Sequence, residues 1–70
     1  MVSEFEIWRA AMRLVGQYGD AALDHAERRA QALEAKADFD GWATWVRIGA
    51  AILEFRKQRA GERSEAGEPA

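Results

Sequence analysis

The chain contains no cysteine, one histidine and one proline among its 70 residues. The absence of cysteine excludes disulfides and thiolate metal sites, and a single histidine excludes a multi-histidine metal site within one chain. We therefore expect no metal and no cofactor. A chain this short buries a modest share of its surface, so close helix packing or a second subunit must supply its stability.

Long apolar runs and a strong charge of one sign are also missing. No stretch is long enough to cross a membrane, and the first residues, MVSEFEIWRA, lack the basic start and apolar centre of a signal peptide. The formal net charge is −2, whereas a nucleic-acid-binding domain is usually strongly basic. With no cysteine present, these features predict a cytoplasmic protein.

Helical periodicity is the one long-range pattern that the sequence contains. It predicts an all-α fold, a three-helix bundle in an up-down-up arrangement with helices at about 4–18, 21–37 and 39–59. Residues 1–60 would form this one domain. Residues 61–70 carry no large apolar side chain and are expected to be a disordered polar tail.

Local signals mark the predicted helix ends. Ser3 and Glu6 have the spacing of a capping box at the start of the first helix, and Gly19 suits its left-handed end. Asp20 is a natural N-cap for the second helix and Asp38 for the third. The short connection before the third helix predicts an antiparallel hairpin of helices two and three.

The second helix has a narrow apolar seam at intervals of three and four residues, which is typical of close helix packing. Its members are Leu23, Ala26, Ala30, Leu33 and Ala37. Asp24 and Arg28 are expected to pair on the exposed side.

The third helix is apolar over about two thirds of its circumference and divides into two sub-faces. One carries Trp42, Val46, Gly49, Ala50 and Leu53, and the other carries Trp45, Ile48, Ile52 and Phe55. Gly49 indicates close approach of a backbone or ring. Because two short helices cannot cover both sub-faces, we predict a homodimer. The predicted interface is Trp42, Trp45, Ile48, Ile52 and Phe55. A compact monomer and a heterologous partner remain alternatives.

The sequence contains few candidate catalytic residues. His25 is predicted to lie on the solvent side of the second helix, and no serine or cysteine nucleophile has a neighbouring base. We therefore predict no catalytic residue and no enzyme activity. The only basic clusters are Arg28–Arg29 and Arg56, Lys57 and Arg59. They would serve the alternative function, a nucleic-acid-associated regulator that uses its basic helix ends.

Several short motifs, in order, resemble a family of small uncharacterised helical proteins found mostly in alphaproteobacteria. The segments are EIWRAAMRLVGQYGDAA, AERRAQAL and D..GWATWVRIGAAI. The matching positions are Glu6, Trp8, Gly19, Asp20, Ala22, Ala26, Glu27, Arg28, Leu33, Asp38, Gly41, Thr44, Trp45, Ile48, Ala51 and Ile52. Ala37 departs from the family, which often has glycine there. The resemblance implies a small helical bacterial protein and brings no catalytic residues.

The matching pair Glu27–Arg28 could cross-link helices or serve as a polar anchor for a partner. Taken together, the sequence predicts a small non-enzymatic protein–protein interaction module, of the adaptor or inhibitor type, that acts as a homodimer through its third helix.

Overall fold

The computed structural model describes residues 3–66, with side chains described as far as residue 60. Helix α1 spans Glu4–Tyr18, a 3₁₀ turn spans Gly19–Ala21, α2 spans Ala22–Ala35 and α3 spans Phe39–Ala66. No strand occurs in residues 3–66. The prediction of an all-α fold is confirmed.

Helix α1 has the predicted bounds because both of its ends are specified locally. The amide of Glu6 donates to Ser3 Oγ at 3.2 Å, and the amide of Ser3 donates to Glu6 Oε1 at 3.2 Å. This is the complete capping box, and it satisfies amide groups that have no partner inside the helix. At the other end Gly19 adopts a positive φ of 57° and donates its amide to the carbonyl of Val15.

The junction between α1 and α2 corrects two predictions. No non-helical residue separates the helices, so the helical residues form two continuous stretches, 4–35 and 39–66, where three helices divided by loops were predicted. The first stretch contains the 3₁₀ turn, at which Gly19 has a positive φ. Asp20 lies inside the 3₁₀ turn and does not cap α2, whose N-cap residue Ala21 makes no side-chain bond. The amide of Ala22 donates to the Gly19 carbonyl instead. The turn therefore continues the backbone hydrogen bonding where a side-chain cap was expected.

The turn between α2 and α3 is a Schellman motif. Helix α2 ends at Ala35, two residues before its predicted end, and the amides of Ala37 and Asp38 donate to the carbonyls of Glu34 and Leu33. Both N···O distances are 2.9 Å. This motif places a left-handed residue after the helix, and that residue is Ala37, with φ 61°. Asp38 then caps α3 as predicted, since its Oδ1 accepts from the amide of Gly41 at 3.1 Å.

Helix α3 continues to Ala66, beyond its predicted end near Arg59. Residues 61–66 therefore extend this helix, whereas the sequence indicated that a polar tail begins at residue 61. The rest of the predicted tail, residues 67–70, lies outside the described residues. With 28 residues, α3 is about 42 Å long and α2, with 14 residues, about 21 Å.

Helices α2 and α3 run antiparallel and make the most extensive helix–helix contact. Leu33, near the end of α2, lies beside Gly41 near the start of α3, and Leu23 lies beside Gly49. Farther along, the Arg56 guanidinium donates to the Asp20 carbonyl at 2.6 Å. Helix α1 packs against both α2 and α3, and contacts α3 more extensively.

Small side chains dominate the buried core. Its members are Ile7, Ala11, Leu14, Ala22, Ala26, Ala30, Ile48, Ala51 and Ile52. More than half of them are alanine, and no polar or charged residue is buried in the described part of the chain. The radius of gyration is 14.1 Å, against about 11 Å for a compact chain of this length. The extents of 52 × 22 × 17 Å agree with a long α3 beside shorter partners.

We expect Ala37→Gly to raise the free energy of unfolding by about 0.5–1 kcal/mol. A left-handed conformation crowds the alanine Cβ, and glycine has no Cβ to crowd. Urea denaturation measures the change. The matched control is Ala32→Gly, at an exposed position inside α2, which should lower the stability by about 1 kcal/mol. A destabilising Ala37→Gly would contradict the assigned turn.

We expect Gly49→Ala to stabilise the protein by about 1 kcal/mol through helix propensity. A Cβ at residue 49 would meet the Leu23 Cδ1 at 3.6 Å and the Ala26 Cβ at 3.9 Å, which are ordinary contact distances. Gly41→Ala is the contrasting variant, because its Cβ would meet Asp38 Oδ2 at 3.0 Å and the Leu33 Cδ1 at 3.1 Å. Gly41→Ala should therefore raise the stability less than Gly49→Ala does, or lower it by disturbing the Asp38 cap. Thermal melts of both variants test this difference, and equal gains would disprove it.

Candidate interaction surface

The structure buries two members of the sub-face of α3 that was predicted to contact a second subunit. Ile48 and Ile52, predicted to contact a second subunit, are 4% and 0% exposed and belong to the core of their own chain. Trp45 and Phe55 on the same sub-face are half-buried. The interface prediction is therefore wrong for Ile48 and Ile52, because α1 and α2 of the same chain already enclose them.

Trp45 is held in an aromatic cluster between the helices. The His25 ring meets the Trp45 ring edge-on at 6.0 Å and stacks on Tyr18 at 4.5 Å between centroids. The guanidinium of Arg29 lies over Trp45 at 5.8 Å. His25 is therefore half-buried at the junction of three helices, and the prediction that it faces solvent is wrong. Its ring joins α1 to α2 across the 3₁₀ turn.

Phe55 lies at the opposite end of the same sub-face, beside the bend between α1 and α2. It lines a shallow cleft with Val15, Gly19 and Arg56. The guanidinium of Arg59 covers its ring at 5.7 Å. Phe55 is half-buried there, between residues of α1 and the side chain of Arg59.

The other sub-face of α3 carries an apolar row, which we name the α3 stripe. It consists of Phe39, Trp42, Val46, Ala50 and Leu53. Phe39, Val46 and Leu53 are 61%, 45% and 47% exposed, Ala50 is exposed and Trp42 is half-buried. Three of the five large exposed apolar side chains in the described part of the chain thus belong to one row on one helix.

The spacing of the α3 stripe explains why its members share a side of the helix. Successive members are three or four residues apart, and at about 100° per residue they fall within a quarter of the circumference. From Phe39 to Leu53 the stripe is about 21 Å long. Phe39 was not among the predicted site residues. Its spacing of three residues from Trp42 and seven from Val46 was the sequence signal that would have identified it.

A shallow groove between α1 and α3 runs along one edge of the stripe. Trp8 from α1 lines it together with Arg47, Ala50 and Glu54 from α3. Arg47 and Glu54 are exposed and lie seven residues apart, so they occupy the same side of α3 two turns from each other. The apolar stripe therefore has one positive and one negative side chain along the same edge.

The predicted polar anchor lies elsewhere. Glu27 and Arg28 are exposed on α2, and the Nε of Arg28 is 3.0 Å from Asp24 Oδ2 in the same helix. The predicted Asp24–Arg28 pair is therefore confirmed. Both side chains of this pair are mostly exposed, and such pairs contribute little to stability. Arg28 therefore pairs within α2, and the predicted Glu27–Arg28 pair does not link this helix to another one.

Within the described part of the chain, no three His, Cys, Asp or Glu side chains are close enough to share a metal ion. Every buried side-chain nitrogen and oxygen described there has a hydrogen-bond partner. Nor does any helix in residues 3–66 combine the length and the apolar character that crossing a membrane requires. The α3 stripe is the candidate site because three large apolar side chains are exposed there in one row.

Comparisons with protein-family models, with curated proteins and with solved structures found no match to this chain.

We expect Ile52→Ala and Leu53→Ala to differ sharply although the residues are adjacent. Ile52 is 0% exposed, and its truncation should lower the free energy of unfolding by about 2–4 kcal/mol. Leu53 is 47% exposed, and its truncation should cost less than about 1 kcal/mol in the isolated chain. Urea titration at low micromolar protein, followed by tryptophan fluorescence, measures both. A larger loss at Leu53 would show that the sub-faces are assigned the wrong way round.

Proposed function

We propose that this protein is a small non-enzymatic protein–protein interaction module that acts as a homodimer through α3. The observation that carries this proposal is the α3 stripe, in which Phe39, Val46 and Leu53 each leave roughly half of the side chain or more in solvent. Exposed apolar side chains that are grouped in one row are typical of an interface, whereas scattered ones need no explanation.

The small core also supports a second subunit. Ile52 is the only large side chain below 2% exposure in the described part of the chain. Alanines bury little apolar area, and the hydrophobic contribution scales with that area, at about 25 cal/mol per Å². A short chain with a core of this kind gains in stability when a partner covers its remaining apolar surface.

Three aromatic rings outside the stripe lie near an arginine of the same chain. Phe5 has the guanidinium of Arg9 at 5.8 Å, and Phe55 and Trp45 have arginines at similar distances. Among the described residues, neither Phe39 nor Trp42 has a cation over its ring or a stacked ring. Phe39 is 61% exposed, and its ring is therefore the one in the stripe that is most open to a partner helix.

Self-association is favoured over other partners because a single chain supplies both halves of a twofold interface. We also propose that α1, α2 and α3 form an up-down-up three-helix bundle in each subunit. Glu4, Ile7 and Trp8 share a groove with residues 47–54 of α3. Val15 and Gly19 share a cleft with residues 55–60. Helices α1 and α3 therefore run in the same general direction, and α2 runs back between them.

Nucleic-acid binding has less support than self-association. Of the basic cluster at residues 56–59, Arg56 donates to the Asp20 carbonyl and Arg59 covers Phe55. Arg28 pairs with Asp24. These cations already have partners inside the chain, and the net charge of −2 would oppose binding to phosphates.

The adaptor or inhibitor role, the cytoplasmic location and the family resemblance remain part of the proposal of a homodimeric interaction module.

We expect Leu53→Glu to convert a dimer into a monomer. Sedimentation equilibrium should give about twice the chain mass of 7.8 kDa for the parent protein and the chain mass itself for the variant. The carboxylate introduced at residue 53 would have to be desolvated to enter the interface, which costs several kcal/mol. Leu53 is half exposed, so the fold itself should tolerate the change.

Phe5→Glu is the matched control, because Phe5 is 69% exposed and lies on α1 outside the stripe. Its glutamate would sit in the first turn of a helix, where negative charge is favoured, and the dimer should persist. A parent protein that sediments at the single-chain mass across the micromolar range would disprove the homodimer. A dimer that survives Leu53→Glu would assign it to another surface.

A further inference from the structure

The charges beside the α3 stripe distinguish the two ways in which two copies can pair. Arg47 and Glu54 are exposed and line the same groove beside the stripe. They lie on either side of Ala50, three residues before it and four after it. Ala50 is therefore a small residue of the stripe, with opposite charges at nearly equal distances on either side.

A parallel twofold pairing would place each residue at the height of its own copy along the helix axis. Arg47 would then lie about 10 Å along the axis from the partner's Glu54, so a parallel pairing aligns neither charge with an opposite one. An antiparallel pairing centred on Ala50 places residues opposite each other when their numbers add to about 100. Arg47 then faces the partner's Glu54, and the twofold axis repeats this pair on the other side.

We infer that two copies of this chain pair through antiparallel α3 helices that cross at Ala50, with two Arg47–Glu54 ion pairs fixing the register. This inference rests on the homodimer proposed above and adds its geometry. Val46 packs against the partner's Leu53, because their numbers add to 99. The side chain at the crossing point, Ala50, is small, so the two helix axes can approach closely.

The same register provides a partner for the half-buried tryptophan of the stripe. Lys57 lies four residues after Leu53 and therefore continues the line of the stripe. In the antiparallel pairing it falls opposite the partner's Trp42, since these numbers also add to 99. An ammonium group over an indole ring is a favourable cation–π contact. In a parallel pairing Lys57 would lie about 22 Å farther along the axis than the partner's Trp42.

Single-cysteine cross-linking tests the geometry directly, because the parent chain contains no cysteine. In the antiparallel pairing the two copies of residue 50 meet, whereas the two copies of residue 39 lie about 33 Å apart. Ala50→Cys should give a covalent dimer with a short bis-maleimide, and Phe39→Cys should not. Glu27→Cys, at an exposed position on α2, measures cross-linking by random collision.

Charge reversal provides an independent readout in the same buffer. Arg47→Glu and Glu54→Arg should each weaken dimerisation on the order of tenfold, and the double variant should recover most of the loss. Circular dichroism of each variant confirms that the helices remain. A salt titration should weaken the parent dimer and reduce the difference between the variants, since the pairs are exposed to solvent.

The outcomes separate this inference from the function on which it rests. A dimer that cross-links at Phe39→Cys as efficiently as at Ala50→Cys overturns the antiparallel geometry and leaves the homodimer in place. A dimer whose double charge variant stays as weak as the single variants overturns the ion pairs. A parent chain that sediments as a monomer overturns both proposals.

Discussion

The close approach of α2 and α3 is the constraint on which the remaining structure depends. Ala26 and Ala30 of α2 are buried, and Gly49 of α3 faces Leu23 and Ala26 with no side chain of its own. With so little volume between the two backbones, large side chains of α3 must lie to either side of the contact. At about 100° per residue, Trp45 falls on one side of Gly49 and Leu53 on the other. One side is enclosed by α1, and the other is the exposed stripe.

The sequence predicted features that depend on a few neighbouring residues. The capping box of Ser3 and Glu6, the positive φ of Gly19 and the cap at Asp38 are all present, because each of these signals acts within one helical turn. Asp20 is the exception among the predicted caps. A backbone bond from Ala22 to Gly19 replaced it, and nothing in the residue types distinguishes a 3₁₀ continuation from a capped new helix.

The choice between the two sub-faces of α3 was the part that local patterns could not decide. Both arcs are apolar, and hydrophobicity alone would place either of them inside. The match between Gly49 and the alanine seam of α2 leaves one arc on each side of that contact. The deciding feature was the side on which α1 packs, and its residues Ile7, Ala11 and Leu14 share the core with Ile48 and Ile52. Val46 and Leu53 are left outside.

The unequal attachment of the helices implies an order in which the molecule opens. Helix α1 contacts its neighbours less extensively than α2 and α3 contact each other. Among the described residues, one side-chain hydrogen bond joins distant elements, from Arg56 to Asp20 at the bend. Local unfolding begins in the element with the fewest buried contacts. The α2–α3 hairpin would then outlast α1, and the face around Ile48 and Ile52 would be uncovered only in that partly open state.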